Sequence, residues 1–241
     1  EKVSDRKVRD EWKPLWGKRA VVEDHFNELV IDLVNPAGQP ERMQLVVRGY
    51  NDGFAFCYKI PDGKGPCVNV QSELTAYNFA GDYTAWFYNG ENHNIGPEKL
   101  TETDGTRLPV MTVKAGDKHY MAIHEACLET GAPLVLQSKG GESLFSVASK
   151  PTSLSPGYTS AWRVVLYGTT PGVLTDSHLL ELLNPDPDSR YDFSWVKPGL
   201  AVWDWRINGA VWDGFTYGMS YPSWVRMVDF AAEQGFKYLV L

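Results

Sequence analysis

The segment HYMAIHEACLE combines two histidines with two carboxylates, His119, His124, Glu125 and Glu129. Such side chains can hold a metal ion or a polar substrate where they meet on one surface. Two interpretations stay open. The period of a strand predicts ordinary sheet residues, with His124 and Glu125 on opposite faces, and spacing alone favours this interpretation. The other places Glu125 at the edge of a sandwich, as a carboxylate for a metal or a substrate.

The segment VWDWRIN carries a second polar group, at the end of an apolar run. Ligands of parallel α/β folds bind beyond the carboxyl ends of the strands, so Asp204, Trp205, Arg206 and Asn208 lie where a site would form. A Trp ring can stack on a sugar, and the polar side chains can bond the sugar's hydroxyls. For Trp205, contact with a sugar and packing at the mouth of a barrel are equally favoured. For Trp203, packing is favoured.

Aromatic residues are abundant, among them Trp12, Trp16, Trp86, Phe87 and Trp162. They are typical either of a carbohydrate-binding face or of a sandwich core, and the core is favoured because sandwich cores use the same residues. The sequence contains no Gly-rich phosphate loop, no GxSxG elbow and no zinc motif.

The cysteines Cys57, Cys67 and Cys127 match neither a metal-ligand spacing nor a disulfide framework. Cys57 and Cys67 flank IPDGKGP and could face each other across a hairpin. They could form a disulfide, or they could be unbonded cysteines that act as small apolar side chains in the core. The second alternative is favoured.

Short strands must position these residues. From Glu28 to about Tyr167, runs with a period of two are separated by turn residues such as NPAGQP, NDG and PDGKGP, and this pattern predicts antiparallel sheets in a sandwich. Residues 51–53, Asn-Asp-Gly, predict a tight hairpin turn. The runs are NELVIDLV, MQLVVRGY, FAFCYKI, CVNV, SELTAYNF, YTAWFY, PVMTVKA, HYMAIHEA, LVLQS, LFSVAS and AWRVVLYG.

The pattern changes after Gly168. DSHLLELLN predicts a short helix closed by Pro185, and the apolar run LAVWDW predicts a strand. A helix is expected from about Tyr221 to Gly235, with FKYLVL as the next strand. Strand, helix and strand predict two parallel strands covered by a helix. Because two parallel strands cannot form a sheet of their own, we expect the chain to end inside an α/β domain that has barely begun.

The composition excludes several classes of protein. A chain of 241 residues with 43% apolar residues can build a sizeable core, so disorder is not expected. The net charge of -7 argues against a nucleic-acid partner, which would need a basic face. No apolar run of about 18 residues occurs, so no membrane span is encoded.

Several segments resemble glycoside hydrolase family 97 in their order and approximate spacing. They are EWKPLWG, HFNELVIDL, RGYNDGFAFCY, SELTAYNF, MAIHEACL, SAWRVVLYG, LLNP, DFSWVKPGLAVWDW and MVDFAAEQGFKYLVL. The resemblance covers nearly the whole chain. It implies a mainly β fold: an antiparallel β-super-sandwich over residues 1–170 without its first strands, a helical linker over 171–198, and the first βαβ unit of a truncated (β/α)8 catalytic barrel over 199–241. Two positions differ from the family pattern, Cys57 in place of Arg and Arg206 in place of Trp.

The resemblance also implies a function. We expect part of an exo-acting α-glycosidase, an α-glucosidase or α-galactosidase, whose partners are oligosaccharides with terminal α-linked glucose or galactose. By this resemblance Glu125 ligates calcium, Asp204 and Trp205 lie at the mouth of the first barrel strand, and the catalytic carboxylates lie on barrel strands beyond Leu241. Asp204, Trp205 and, from its position after the strand, Asn208 are expected to bind substrate. The short loop after WDW resembles the retaining, α-galactosidase-like branch.

The family suggests a periplasmic or secreted protein, although the polar opening EKVSDRKVRDEWKP holds no apolar signal-peptide core. The alternative is a stand-alone carbohydrate-binding β-sandwich, which explains the aromatic residues but not the βαβ segment.

Overall fold

The computed structural model describes residues 2–36, 42–63, 66–130 and 132–241. They divide into two compact units, Glu1–Asp186 and Pro187–Leu241. The domain boundaries expected at residues 170 and 198 stay a prediction. Most of the predicted turn NPAGQP, and the residues 64–65 of PDGKGP, lie outside the described residues.

The first unit consists mainly of strands, followed by two short helices. The strands are β1 (Lys2–Trp12), β2 (Val22–Val34), β3 (Arg42–Tyr50), β4 (Gly53–Lys59), β5 (Val68–Val70), β6 (Ala76–Asn78), β7 (Thr84–Tyr88), β8 (Ile95–Lys99), β9 (Asp104–Lys114), β10 (Tyr120–Ala126), β11 (Leu136–Lys139), β12 (Leu144–Val147), β13 (Thr152–Leu154) and β14 (Trp162–Gly168). A 3-10 helix covers Leu100–Glu102, and the helices are α1 (Pro171–Asp176) and α2 (Leu179–Leu182).

The strands pair in an antiparallel manner throughout this unit. The large sheet has the order β1-β2-β3-β4-β14-β10-β9-β11-β12-β6, with β7 and β8 attached beside β9. Strand β9 changes partner along its length: its first residues pair with β11 and its last with β10. The rings of Phe87 in β7 and Phe145 in β12 contact each other with centroids 5.8 Å apart, so these two parts of the sheet pack face to face. The predicted antiparallel β fold is confirmed.

Two apolar cores lie on opposite faces of the central strands β14 and β10, because side chains alternate along a strand. The first core is covered by α2 and contains Val46, Ala55, Cys57, Ala122, Ala126, Trp162, Val164, Leu166, Leu179 and Leu183. The second contains Ala85, Phe87, Leu100, Met111, Val113, Ile123, Leu134, Leu136, Phe145 and Val147. Strands β10 and β14 therefore pack against apolar residues on both faces.

The predicted hairpin turn joins β3 to β4, with Tyr50 opposite Gly53. A Cβ atom on Gly53 would lie 2.3 Å from the backbone oxygen of Val165 in β14, because the neighbouring strand approaches closely there. We expect Gly53→Ala to lower the free energy of unfolding by about 1–3 kcal/mol, as local backbone strain does. Urea unfolding of the chain measures this change.

Gly49→Ala is the matched control for that hairpin. Gly49 faces Phe54 across the same pair of strands, and a Cβ there meets nothing within 4 Å. Equal stability of the two variants would show that β14 does not constrain Gly53.

The second unit contains β15 (Ala201–Trp203), α3 (Asp204–Ile207), β16 (Val211–Trp212), β17 (Phe215–Thr216), α4 (Tyr221–Gln234) and β18 (Tyr238–Val240). Strands β15 and β18 are parallel. Helix α4 ends at Gly235, whose φ of 71° lets its N–H bond the carbonyl oxygens of Ala231 and Ala232. The predicted strand, helix and strand are confirmed, and a (β/α)8 barrel beginning here stays a prediction.

Several elements differ from the sequence-based prediction. The strand predicted over LAVWDW ends at Trp203, because α3 begins at Asp204. The segment DSHLLELLN is not one helix, because Asp176 ends α1 and Leu179–Leu182 form α2. Helix α1 and strand β1 were not predicted. None of the described helices is long and apolar enough to cross a membrane.

Candidate functional site

Strand β10 places Glu125 directly opposite Arg163 of β14 in the antiparallel register. Along β10, Ala122 and Ala126 belong to the first core and Ile123 to the second, so Glu125 shares the face of Ile123. Trp162 and Val164 likewise fix the opposite face of β14, which leaves Arg163 on the side of Glu125. The cross-strand position brings the two side chains into contact.

Arg163 bonds two carboxylates from different parts of the chain. Its Nε and Nη2 donate to Oε1 and Oε2 of Glu73 at 2.9 and 2.6 Å, a bidentate pair. Its Nη1 donates to Oε2 of Glu125 at 3.3 Å. The side chains are 6% exposed for Arg163, 20% for Glu73 and 9% for Glu125. We call these three residues the Arg163 cluster.

Glu125 is also held by the backbone. The N–H of Leu134, just before β11, donates to Glu125 Oε2 at 2.8 Å. Within the described residues, the hydrogen bonds to this carboxylate end on Oε2. Oε1 is therefore the oxygen that is left for a ligand.

The pKa shifts show how the charges are balanced. Burial raises the pKa of Glu125, and the Leu134 hydrogen bond and the Arg163 charge offset only part of this. Burial also acts to raise the pKa of Glu73, but the hydrogen bonds and charge of Arg163 outweigh it and hold that pKa below its ordinary value. Burial acts to lower the pKa of Arg163, but Glu73, with smaller contributions from Tyr77 and Glu125, outweighs it and raises that pKa. The guanidinium charge is therefore balanced mainly by Glu73.

Tyrosine and threonine side chains surround the Arg163 cluster. Tyr58 Oη and Thr75 Oγ1 lie 3.0 Å apart. Tyr77 interacts electrostatically with the cluster, and its buried hydroxyl has no hydrogen-bond partner among the described residues. Burial raises the pKa of Tyr77. The site is thus a buried polar cluster in an apolar sheet, and not all of its polar atoms have hydrogen-bond partners among the described residues.

The other polar residues of HYMAIHEACLE do not join Glu125. His124 lies on the opposite face, as the strand period predicts, and burial lowers its pKa. His119 Nδ1 lies 2.7 Å from the Tyr167 hydroxyl, and Glu129 is exposed. The segment supplies one carboxylate to the site.

The residues that follow β15 form a separate group in the second unit. Asp204 is 2% exposed, and its Oδ2 accepts a hydrogen bond from Trp224 Nε1 at 2.9 Å, which ties α4 to the end of the strand. Its buried Oδ1 has no partner among the described residues. Trp205 is 56% exposed and Asn208 is exposed. The exposed ring and amide are available to a ligand, whereas Asp204 is engaged in packing.

Arg206 and Trp203 contact each other in this unit. The Arg206 guanidinium lies 5.2 Å from the Trp203 ring centroid. Trp203 is 43% exposed, so this unit alone does not bury the ring. The packing role that the sequence favours for Trp203 stays a prediction.

The cysteines and several aromatic residues lie outside these two groups. Cys57, Cys67 and Cys127 are free thiols, so the disulfide alternative is wrong for this structure. Cys57 is buried in the first core, where burial raises its pKa to about 11, but Cys67 is exposed. Phe87 and Trp162 are core residues, whereas Trp16 is exposed.

The Arg163 cluster can present one carboxylate to a cation. Calcium takes about six to eight oxygen ligands, so a lone carboxylate cannot hold it. Glu125 has the suitable oxygen and a fixed orientation. The described parts of the chain contain no group of three or more His, Cys, Asp or Glu side chains that could hold a metal ion. Glu125 fits as one ligand of such a site.

Sequence reasoning did not assign Glu73 or Arg163. The signal for Arg163 was present: an Arg within the apolar run AWRVVLYG needs a buried partner, because an unpaired buried charge is costly. Nothing in the sequence identified Glu73 as that partner.

Comparison with known families and proteins gives consistent matches. Residues 1–185 match the family described as Glycosyl-hydrolase 97 N-terminal. The chain is 27% identical to the retaining alpha-galactosidase of Bacteroides thetaiotaomicron, over 99% of this chain and 41% of that protein. It is 29% identical to a probable retaining alpha-galactosidase of Streptomyces bingchenggensis, over 83% of this chain and 31% of that protein.

Solved structures also match. A glycoside hydrolase family 97 enzyme from Pseudoalteromonas sp. strain K8, in complex with acarbose, has a TM-score of 0.81 at 25% identity and covers 98% of this chain. The chain covers 38% of that enzyme. A beta-arabinopyranosidase shares the fold, with a TM-score of 0.75 at 20% identity.

The chain therefore spans less than half the length of these relatives. The family match extends from β1 through α2, the whole series of strands that holds the Arg163 cluster. On this ground the chain belongs to the Glycosyl-hydrolase 97 N-terminal family.

Proposed function

We propose that the full-length protein is an exo-acting α-glycosidase that releases terminal α-linked galactose or glucose from oligosaccharides. The family match over residues 1–185 carries this proposal. The two curated relatives favour galactose and retention of configuration, in agreement with the short loop after WDW. Glycosidases generally place two carboxylates about the scissile bond, and we place both outside this chain.

In this proposal the sandwich supplies Glu125 to a calcium site beside the catalytic carboxylates. Calcium, when bound, supplies a fixed divalent charge that orients oxygen groups around it. The backbone N–H of Leu134 and the guanidinium of Arg163 hold Oε2, so that Oε1 keeps one position. Three observations support this role: the side chain is a carboxylate, it is buried, and two donors bond its Oε2.

The second unit contributes contacts to the sugar. The exposed ring of Trp205 can stack on a sugar face, and the Asn208 amide can bond hydroxyls. Asp204 acts through Trp224, because its Oδ2 is bonded to that indole and its carboxylate is buried. We therefore propose Trp205 and Asn208 as contacts and Asp204 as the residue that keeps α4 against β15.

The test is hydrolysis of p-nitrophenyl α-galactoside and α-glucoside by the full-length protein and by the 241-residue chain. We expect turnover by the full-length protein, faster with the galactoside, and none by the 241-residue chain. NMR of the first product should show the α-anomer, as retention requires.

Three outcomes separate the possibilities. Faster turnover of the glucoside would move the specificity to α-glucosidase. Sugar binding without turnover by the full-length protein would favour the carbohydrate-binding alternative. Turnover by the 241-residue chain would show that catalytic carboxylates lie within it, contrary to the proposal.

A further inference from the structure

We propose that Glu73 and Arg163 are positioning residues, which hold Glu125 with one oxygen and one negative charge available to a divalent cation. This inference rests on the proposed function and deepens it. Arg163 bonds Glu125 directly, and Glu73 acts on Glu125 through Arg163. Neither residue binds the cation itself in this proposal.

Three segments distant in sequence meet at this point. Glu73 lies in SELTAYNF, Glu125 in MAIHEACL and Arg163 in SAWRVVLYG. The separation is 90 residues between Glu73 and Arg163 and 38 between Arg163 and Glu125. A loop between β5 and β6 supplies Glu73, while the other two residues are cross-strand partners. The arrangement needs all three segments, so it forms only when they fold together.

The charges in the cluster leave a surplus for a cation. One guanidinium faces two carboxylates, and the bidentate bonds to Glu73, at 2.9 and 2.6 Å, are shorter than the 3.3 Å contact to Glu125. Glu73 thus takes most of the guanidinium charge, and Glu125 keeps most of its own. Without Glu73, the guanidinium charge of Arg163 would be balanced by Glu125 alone. Arg163 would then compete with a cation for the Glu125 carboxylate.

The bonds also decide which oxygen is presented. Leu134 and Arg163 both donate to Oε2, from the backbone and from β14. These two donors hold the carboxylate plane in one orientation and direct Oε1 away from them. Groups that orient a ligand carboxylate are known to affect metal affinity about 10- to 100-fold.

The experiment uses Glu73→Gln in the full-length protein, which keeps the shape of the side chain and removes its charge. Isothermal titration with calcium chloride measures the dissociation constant, and activity is followed against calcium concentration. We expect calcium to bind about tenfold more weakly, or weaker still. Activity at saturating calcium should return close to that of the wild type, because the ligand itself is intact.

Glu28→Gln is the matched control. Glu28 on β2 also bonds two guanidiniums, Arg6 at 2.6 Å and Arg48 at 2.8 Å, and is a sheet carboxylate outside the Arg163 cluster. Its variant should bind calcium as the wild type does. Thermal unfolding of both variants shows whether either loses its fold.

The outcomes distinguish this inference from the proposed function. A wild type that binds no calcium would refute the metal role of Glu125 itself. A calcium-binding wild type whose Glu73→Gln and Glu28→Gln variants bind equally well would refute the positioning role. If Glu73→Gln does not fold, Arg163→Lys replaces it. Lysine keeps the charge but loses the bidentate geometry, so calcium should again bind more weakly, and unchanged binding would overturn the inference.

Discussion

Glu125→Gln in the full-length protein is expected to raise the calcium concentration for half-maximal activity by about 100-fold or more. Gln removes the negative charge of a ligand while keeping its shape, and loss of a ligand should cost more than the 10- to 100-fold that loss of a supporting group costs. The fold should survive, because Leu134 and Arg163 can still bond the side-chain oxygen of Gln. Activity against calcium titration and the calcium dissociation constant measure the effect.

Glu129→Gln is the control for this change. Glu129 follows in the same segment, is exposed and makes the same change of charge. Its titration curve should match the wild type. If the curves of Glu125→Gln and the wild type coincide, HYMAIHEACLE is only a strand, and the role that family resemblance gives to Glu125 is wrong.

Arg163→Met is expected to lower the free energy of unfolding by about 3–5 kcal/mol, the cost of breaking a buried ion pair by removing one partner. The Arg163 side chain is 6% exposed, and its loss leaves Glu73 and Glu125 without their counter-charge inside the sheet. Urea unfolding of the 241-residue chain at neutral pH, followed by tryptophan fluorescence, measures the loss.

Arg6→Met tests whether that loss is specific to the buried cluster. Arg6 is 58% exposed, and its partner Glu28 keeps Arg48, so the change should cost less than about 1 kcal/mol. Adding Glu73→Gln to Arg163→Met should recover part of the stability, because one unpaired charge is removed. Equal losses for Arg163→Met and Arg6→Met would contradict the account of the cluster.

Much of the fold could be predicted from local pattern. The hairpin at residues 51–53, the long strands that flank it and the end of α4 at Gly235 depend on alternation and turn chemistry within a few residues. Strand β1 was not predicted, because KVSDRKVRDEW is charged and lacks an apolar face. Among the described residues it pairs with β2, so its place in the sheet follows from that neighbour and not from an apolar pattern of its own.

The sequence by itself determined that Glu125 and His124 point to opposite faces, because the period of two is a property of the strand. It could not determine which face was buried, or what stood opposite. The tertiary structure decided that Arg163 is the cross-strand neighbour of Glu125, and that Glu73 reaches the same guanidinium from a loop 90 residues away. It also decided that Asp204 bonds Trp224 inside the second unit instead of facing outward. The physical reason is that an ion pair or a buried hydrogen bond depends on strand register and packing between distant segments, neither of which leaves a periodic signal in the local sequence.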